Sequence, residues 1–155
     1  MRAVLSLGSN LGDRLAFLRV GASVVGAQRV SSVYETSPVD VANAQPDYLN
    51  CVAIVDVADA EDALAHAHLA EDTVGRLRTA HRSARRLDVD VISVDAVISD
   101  DARLTLPHPR AHERAFVLLP WHEVDPDAVI PGAGPVWQLL RGVDSVGVRR
   151  IGPLR

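Results

Sequence analysis

Two aspartates, Asp88 and Asp90, stand one residue apart in a largely aliphatic run. Alternate side chains of an extended chain point to the same face, so both carboxylates would project to one side, with Cα atoms about 6.6 Å apart. Such a pair is repulsive unless a cation lies between the carboxylates. Oxygen ligands without a nearby histidine or cysteine favour Mg²⁺ over Zn²⁺. Taken alone, the pair is better explained by an exposed strand face, or by salt bridges from the carboxylates to Arg85 and Arg86, than by a magnesium site.

Five arginines lie just before this pair, between residues 76 and 86. Fixed cations beside magnesium-binding carboxylates suit a polyphosphate, because both neutralise its charge. All 16 basic residues of the chain are arginines, so a mechanism that requires a lysine, such as a Walker-type phosphate loop, is excluded. The alternatives are a solvated basic loop and a nucleic-acid surface. The net charge of −4 and the lack of interleaved aromatic residues argue against nucleic acid.

The length and composition are those of one ordinary globular domain, predicted to span residues 1–155. The single cysteine, Cys51, cannot form an internal disulfide, which fits a reducing cytoplasm. No uncharged apolar stretch approaches the roughly 18 residues that a membrane span needs. We therefore expect a cytoplasmic monomer that acts on small molecules, without nucleic-acid or membrane partners.

Hydrophobic periodicity predicts the elements that must position the acidic and basic residues. Consecutive strands favour an antiparallel sheet with helices on one face, an α+β, ferredoxin-like plait. A doubly wound α/β fold is the alternative, and the direct step from the second to the third strand argues against it. The prolines and turn residues predict a loop over 37–47 and another that begins at 105. The predicted strands are 3–7, 29–36, 48–57 and 87–94, and the predicted helices are 12–26, 60–75, 113–121 and 135–141.

Six short motifs, which together span nearly the whole chain, include the aspartate pair and most of the arginine cluster. They are Leu-Gly-Ser-Asn-Leu-Gly-Asp at 7–13, Tyr-Glu-Thr-Ser-Pro-Val at 34–39, Gln-Pro-Asp-Tyr-Leu-Asn at 45–50, Glu71 with Gly-Arg-Leu-Arg at 75–78, Arg-Arg-Leu-Asp-Val-Asp-Val at 85–91, and Arg-Leu-Thr-Leu-Pro-His-Pro-Arg-Ala-His-Glu-Arg-Ala-Phe at 103–116. Each motif is modest, but the set in this order is specific. It resembles the 6-hydroxymethyl-7,8-dihydropterin pyrophosphokinase family of the folate pathway.

The resemblance implies that ATP donates a pyrophosphoryl group to the hydroxymethyl oxygen of the pterin and that AMP leaves. It implies that Asp88 and Asp90 hold two Mg²⁺ ions around the β- and γ-phosphates. It also implies that Arg78 and Arg85 contact phosphates from a mobile loop, with Arg76 beside them. Small and polar residues over 79–84 suit a loop that closes over the site and excludes water.

The resemblance further divides the remaining residues between the two substrates. A flat heterocycle with a dense donor–acceptor edge calls for stacking aromatic rings and an amide. The implied pterin residues are Tyr48 and Phe116 as stacking rings, Asn50 as the amide, and the backbone of Thr36, Pro38 and Val39. The implied nucleotide residues are Arg103, His108 and Arg114 on the triphosphate, Leu104 and Thr105 at the adenosine, and Glu71.

Three alternatives to this function stay open at the level of sequence. The first is a degenerate relative that binds pterin and nucleotide with little transfer. The second is a non-catalytic ferredoxin-like regulatory or RNA-binding module. The third is a related kinase that acts on another heterocyclic alcohol.

Overall fold

A computed structural model describes residues 1–37, 47–77 and 86–154. Its ten strands are β1 (Arg2–Ser9), β2 (Arg29–Val30), β3 (Val33–Thr36), β4 (Tyr48–Asp56), β5 (Asp88–Val94), β6 (Ser99–Asp101), β7 (Leu104–Leu106), β8 (Val129–Ile130), β9 (Gly134–Pro135) and β10 (Val148–Gly152). Its helices are α1 (Arg14–Val24), α2 (Ala60–Arg76), α3 (Ala115–Val124) and α4 (Val136–Leu140), and a 3₁₀ turn spans Ala111–Glu113. None of these helices is long and apolar enough to cross a membrane.

One antiparallel sheet forms the centre of the fold. Its strands lie in the order β10-β3-β4-β1-β5, and β2 also pairs with β4. The hairpins β6-β7 and β8-β9 stand apart from it. The predicted α+β class with an antiparallel sheet is confirmed, and the arrangement agrees with a ferredoxin-like plait.

Helices cover both faces of this sheet, so the prediction of helices on one face only is wrong. On one face, Leu5 and Leu7 pack with residues of α1 and α2. On the other, Val52 and Ile54 pack with residues of α3 and α4. The reason is visible in the burial of β4, which is continuous from Leu49 to Val55. A strand that is apolar at successive positions needs an apolar partner on each side.

Local signals account for where α1 and α2 begin. Asp13 accepts a hydrogen bond from the Ala16 amide at 3.1 Å, and Asp59 accepts one from the Asp62 amide at 2.8 Å. These side chains satisfy amides that have no partner within the helix. Helix α2 then buries a narrow stripe of small residues against the sheet: Ala63, Ala67, Ala70 and Val74. This close approach places the far end of α2 beside β5.

Several element boundaries differ from the prediction because pairing partners decide them. Strand β1 continues through Gly8 to Ser9, where it still pairs with β4. The predicted strand 29–36 is interrupted at Ser31, whose hydroxyl accepts the Val52 amide at 2.9 Å. Strand β7 forms where a loop was predicted from residue 105, since it pairs with β6. The tail, predicted as irregular chain around one short helix, supplies β10 as a partner for β3.

Candidate functional site

The candidate site is built on rows of residues that face each other across the sheet. Gly8 lies opposite Asn50 on one side and opposite Asp88 on the other. In the next row, Asp90 lies opposite Ser6. Directly opposite residues share a face, and this face is the one that also carries α3 and α4.

The two aspartates project as their alternation predicts. Their neighbours Val89 and Val91 are buried in the core beneath α1 and α2, whereas Asp90 is exposed and Asp88 half-buried. The carboxylates therefore share one face of β5, away from that core. The two valines that alternate with them fix this orientation, because turning the strand over would expose both.

A cavity of about 470 Å³ lies on this face, and we name it the face cavity. It is lined by residues of β1, β4 and β5, by the residue that follows β3, and by the start of α3 with the segment that leads into it. They are Ser6, Gly8, Ser37, Tyr48, Asn50, Asp88, Asp90, Arg110, Arg114 and Phe116. The lining combines two aromatic rings, one amide, two carboxylates and two guanidinium groups, which suits a flat polar ring that carries or receives a charged group.

A second cavity, of about 370 Å³, lies along the outer side of β5, and we name it the edge cavity. Its wall comes from α2, from β5, and from β7 with the segments on either side of it. The lining residues are Leu64, His68, Glu71, Val89, Asp90, Val91, Ala102, Arg103, Leu104, Thr105, His108 and Pro109. Asp90 lines both cavities, so the two cavities adjoin at this residue.

Hydrogen bonding fixes the orientation of the amide in the face cavity. Asn50 is only 4% exposed, and its Nδ2 donates to the Thr36 hydroxyl at 2.8 Å. A buried amide that already uses its donor in this way presents its oxygen to the other side. Beside it, burial first and the nearby charge of Asp88 second raise the pKa of Tyr48 above its ordinary value. Tyr48 therefore stays a neutral ring at physiological pH.

The cations of the face cavity come from the segment before α3. The Arg114 guanidinium carbon lies 5.5 Å from the centre of the Phe116 ring, within the range of a cation–π contact. Arg110 donates to Glu113 at 2.8 Å, and its side chain is largely exposed. Arg114 is thus held by a ring, while Arg110 is held by a carboxylate that a bound anion could replace.

Two acidic side chains, one half-buried beside β5 and one exposed, position groups that line the edge cavity. The Glu71 carboxylate accepts the Val89 amide at 2.9 Å, which ties α2 to the outer side of β5. Arg103 makes a two-pronged contact with Glu61, and both side chains are more than half exposed. The Arg103 guanidinium lowers the pKa of Glu61, which in turn raises that of Arg103. The cation of this cavity is therefore already engaged by an internal anion.

His108 stands close to the junction between the cavities. Its amide donates to the Ile92 carbonyl at 2.8 Å, and its Nδ1 accepts the Arg110 amide at 3.1 Å. In the neutral imidazole, the second bond leaves the proton on Nε2. Burial lowers the pKa of His108, the charge of Asp90 opposes that shift, and Arg114 and Arg110 reinforce it.

The structure brings most of the predicted residues to one of the two cavities. Tyr48, Asn50, Asp88 and Phe116 meet in the face cavity, and Glu71, Arg103, Leu104, Thr105 and His108 meet in the edge cavity. Arg114, expected with the triphosphate, lines the face cavity instead of joining Arg103 and His108. Thr36 holds the Asn50 amide, and Arg76 is exposed at the end of α2 and lines neither cavity. Pro38, Val39, Arg78 and Arg85 lie outside the described residues.

Several lining residues were missed by sequence reasoning. Alternation along β1 places Ser6 and Gly8 on one face, but no local pattern reveals that this face meets Asp88. Arg110 stands inside the motif at 103–116 and could have been singled out there, one turn before Arg114. The other residues that were missed are Ser37 in the face cavity, and Leu64, His68, Val89, Val91, Ala102 and Pro109 in the edge cavity.

The donor set of the site fits magnesium better than a metal held by protein alone. Among residues 1–37, 47–77 and 86–154, no three His, Cys, Asp or Glu side chains form a metal-holding group. Mg²⁺ is commonly bound by one or two carboxylates together with substrate phosphates. Asp88 and Asp90 both line the face cavity, and Asp90 also lines the edge cavity; each cavity contains at least one arginine, so the pair matches that mode.

Comparisons with known proteins identify the family that the chain resembles. The model of the 7,8-dihydro-6-hydroxymethylpterin-pyrophosphokinase family matches residues 4–126. A 2-amino-4-hydroxy-6-hydroxymethyldihydropteridine pyrophosphokinase of Mycobacterium tuberculosis is 43% identical over 155 residues, which cover 90% of this chain and 82% of that protein. The protein of the same description from Methylorubrum extorquens is 36% identical over 157 residues, covering 97% and 98%. The folic acid synthesis protein fol1 of Pneumocystis carinii is 32% identical over 136 residues, covering 84% of this chain and 18% of that protein.

Proposed function

The chain belongs to the 7,8-dihydro-6-hydroxymethylpterin-pyrophosphokinase family, and we propose how its two cavities carry out the reaction of that family. ATP donates a pyrophosphoryl group to the hydroxymethyl group of 6-hydroxymethyl-7,8-dihydropterin, and AMP leaves, as a step of folate biosynthesis. The observation that carries the proposal is that Asp90 lines both cavities. We propose residues 1–155 as one catalytic domain of a cytoplasmic protein that works as a monomer.

The face cavity is the acceptor site. Tyr48 and Phe116 supply ring surfaces for the pterin, and the Asn50 amide reads its polar edge. Asp88 lies two strands away from Asn50 in the same row, a separation of about 9.6 Å between their Cα atoms. A bicyclic ring with a one-carbon arm placed along this row directs its hydroxyl towards the carboxylates.

The edge cavity is the donor site. Leu104 and Thr105 line the adenosine, while Arg103 and His108 lie towards the phosphates. Arg103 reaches the nucleotide by exchanging Glu61 for a phosphate, since a guanidinium fork fits either anion. Arg78 and Arg85, together with Arg76, are proposed to add phosphate contacts from the adjoining segment, on the strength of the family motif alone.

At the junction, the hydroxymethyl oxygen bonds to the β-phosphorus, and the bond between this phosphorus and the oxygen that bridges it to the α-phosphate breaks. Asp88 and Asp90 would hold magnesium, proposed as two ions, which when bound neutralises the phosphates and keeps the hydroxyl near the β-phosphorus. The leaving oxygen stays with AMP, and the proton of the attacking hydroxyl is released to solvent. Arg110 and Arg114 face the acceptor cavity and stabilise the diphosphate once the pterin carries it.

The direct test incubates the wild-type protein with ATP, Mg²⁺ and the dihydropterin alcohol and measures AMP and pterin diphosphate by chromatography. We expect stoichiometric AMP and diphosphate, and none when the pterin alcohol is left out. Tight binding of both ligands without AMP would favour the degenerate relative, and transfer only to a different alcohol would favour the related kinase. Oligonucleotide binding without stabilisation of melting by nucleotide would favour the non-catalytic module.

A further inference from the structure

Gly8 occupies the centre of the acceptor cavity, between Asn50 and Asp88. It is a regular member of β1 and lacks the positive φ that requires glycine at Gly12 or Gly26. Glycine in the interior of a strand weakens it and often marks a place where a ligand or another backbone approaches closely. Backbone conformation therefore does not require glycine at this position. The remaining reason for a glycine is the limited space next to its Cα atom.

That space belongs to the amide oxygen of Asn50. A Cβ at Gly8 would lie 3.0 Å from Asn50 Oδ1 and 3.6 Å from Tyr48 Cδ1. By contrast, a Cβ at Gly75 or Gly147 would have no heavy atom within 4 Å. A methyl group at Gly8 would therefore press directly on the one polar atom that the amide turns away from Thr36.

The amide cannot turn aside to make room without loss. Its Nδ2 is bound to the Thr36 hydroxyl at 2.8 Å, and the residue is 4% exposed. A rotated amide would leave a buried donor without its partner, which is costly. Oδ1 is thus fixed in place, and Gly8 decides whether a ligand can reach it.

We propose that Gly8 is a specificity-determining residue, whose missing side chain keeps Asn50 Oδ1 open to an N–H donor on the acceptor ring. The inference rests on the proposed function, because it takes the face cavity as the acceptor site. It narrows the acceptor class to heterocyclic alcohols that present a ring N–H or amino group at the end opposite the hydroxymethyl arm. A heterocyclic alcohol with only acceptor atoms at that end meets an oxygen and is rejected.

The test is a double-mutant cycle on pterin binding. Gly8→Ala should weaken binding of the dihydropterin alcohol by about tenfold or more, the scale of one buried hydrogen bond, and leave the ATP Kd within about twofold. In the Asn50→Ala background, Gly8→Ala should change pterin affinity by less than about threefold, because the oxygen that it screens is gone. Gly142→Ala, where a Cβ meets only ordinary contact at 3.8 Å, serves as the matched control.

The outcomes separate this inference from the proposed function. If the wild-type protein releases no AMP with the pterin alcohol, the proposed function fails. If the wild-type protein is active and Gly8→Ala binds the pterin normally, or weakens binding equally with and without the Asn50 amide, the inference alone is overturned. Should Gly8→Ala not fold, Gly8→Ala/Asn50→Ala should fold, since the close contact is removed; failure of both would assign Gly8 a purely structural role and overturn the proposal.

Discussion

The face cavity and the edge cavity differ in how their lining side chains are held in position. In the face cavity, recognition groups sit on paired strands, and Asn50 is already fixed by Thr36. In the edge cavity, Arg103 lies on an exposed segment and is paired with Glu61. Under the proposed assignment, the face cavity is a preorganised acceptor site, whereas the edge cavity is a donor site in which a phosphate replaces an internal carboxylate.

This difference has a physical logic. A neutral heterocycle is recognised by hydrogen bonds whose geometry must be correct, and a sheet with fixed register supplies that precision. A polyphosphate is recognised mainly by charge, which tolerates movement of long side chains. Among the residues that the structure describes, the two cavities share Asp90 alone. A substitution at any other described lining position should therefore affect the binding of one substrate and not of the other.

Removing the shared residue should have the largest effect. Asp90→Ala is expected to reduce transfer by about 10²–10³-fold, because the magnesium proposed to neutralise the reacting phosphates loses a ligand. Binding of ATP with Mg²⁺ should weaken as well, while the melting temperature stays close to that of the wild type. Steady-state kinetics and thermal melts check this, with the exposed Asp127→Ala as control. Near-normal turnover of Asp90→Ala would contradict the metal assignment.

Replacing one arginine in each cavity tests whether the two cavities bind different substrates. Arg114→Ala should raise the KM for the pterin alcohol, or slow the step that forms its diphosphate, and Arg103→Ala should raise the KM for ATP, each by about 10- to 100-fold. Initial rates over a grid of both substrates measure the two effects together. If Arg114→Ala instead weakens ATP as strongly as Arg103→Ala does, Arg114 serves the triphosphate, as the family resemblance implies.

Removing the carboxylate that pairs with Arg103 should affect the edge cavity and leave the face cavity unchanged. Glu61→Gln frees Arg103 and is expected to tighten ATP binding by about two- to fivefold, a small change because an exposed ion pair contributes little. Glu113→Gln, which frees Arg110 in the face cavity, should leave ATP binding unchanged and is the matched comparison. Calorimetric titration with a non-hydrolysable ATP analogue measures both. Weaker ATP binding by Glu61→Gln would mean that Glu61 orients Arg103 for the nucleotide.

The smallest expected effect concerns His108 and pH. Burial lowers the pKa of His108 below its ordinary value of 6.5, so the folded protein binds this proton less readily than the unfolded chain. The stabilising contribution is then present above pH 6.5 and is lost as pH falls through the lowered pKa. Urea unfolding between pH 5 and pH 7 should show a shallower loss in His108→Gln than in the wild type, with the exposed His112→Gln as control. An identical slope in His108→Gln would contradict this.

Much of the site could be predicted because its signals are local. The alternation of aspartates and valines alone predicts that the side chains of Asp88 and Asp90 project from the same face of their strand. Through family resemblance, the motifs at 45–50 and 103–116 supplied Tyr48, Asn50, Arg114 and Phe116 of the face cavity and Arg103, Leu104, Thr105 and His108 of the edge cavity. The antiparallel α+β class also followed from the order of the elements. The role proposed for Gly8 could not be predicted from the sequence, because no local pattern reveals which residues lie opposite a glycine in a strand.

By itself, the sequence determined the chemistry that is available: paired carboxylates, arginine as the only long basic side chain, an amide, and a few aromatic rings. The tertiary structure alone decided the pairing of Gly8 with Asn50 and Asp88, the sharing of Asp90 by two cavities, and the side on which Arg114 lies. It also decided the burial of both sheet faces and the recruitment of β10. The physical reason is that strand register and helix packing depend on contacts between residues far apart in the chain, which periodicity within one segment does not encode.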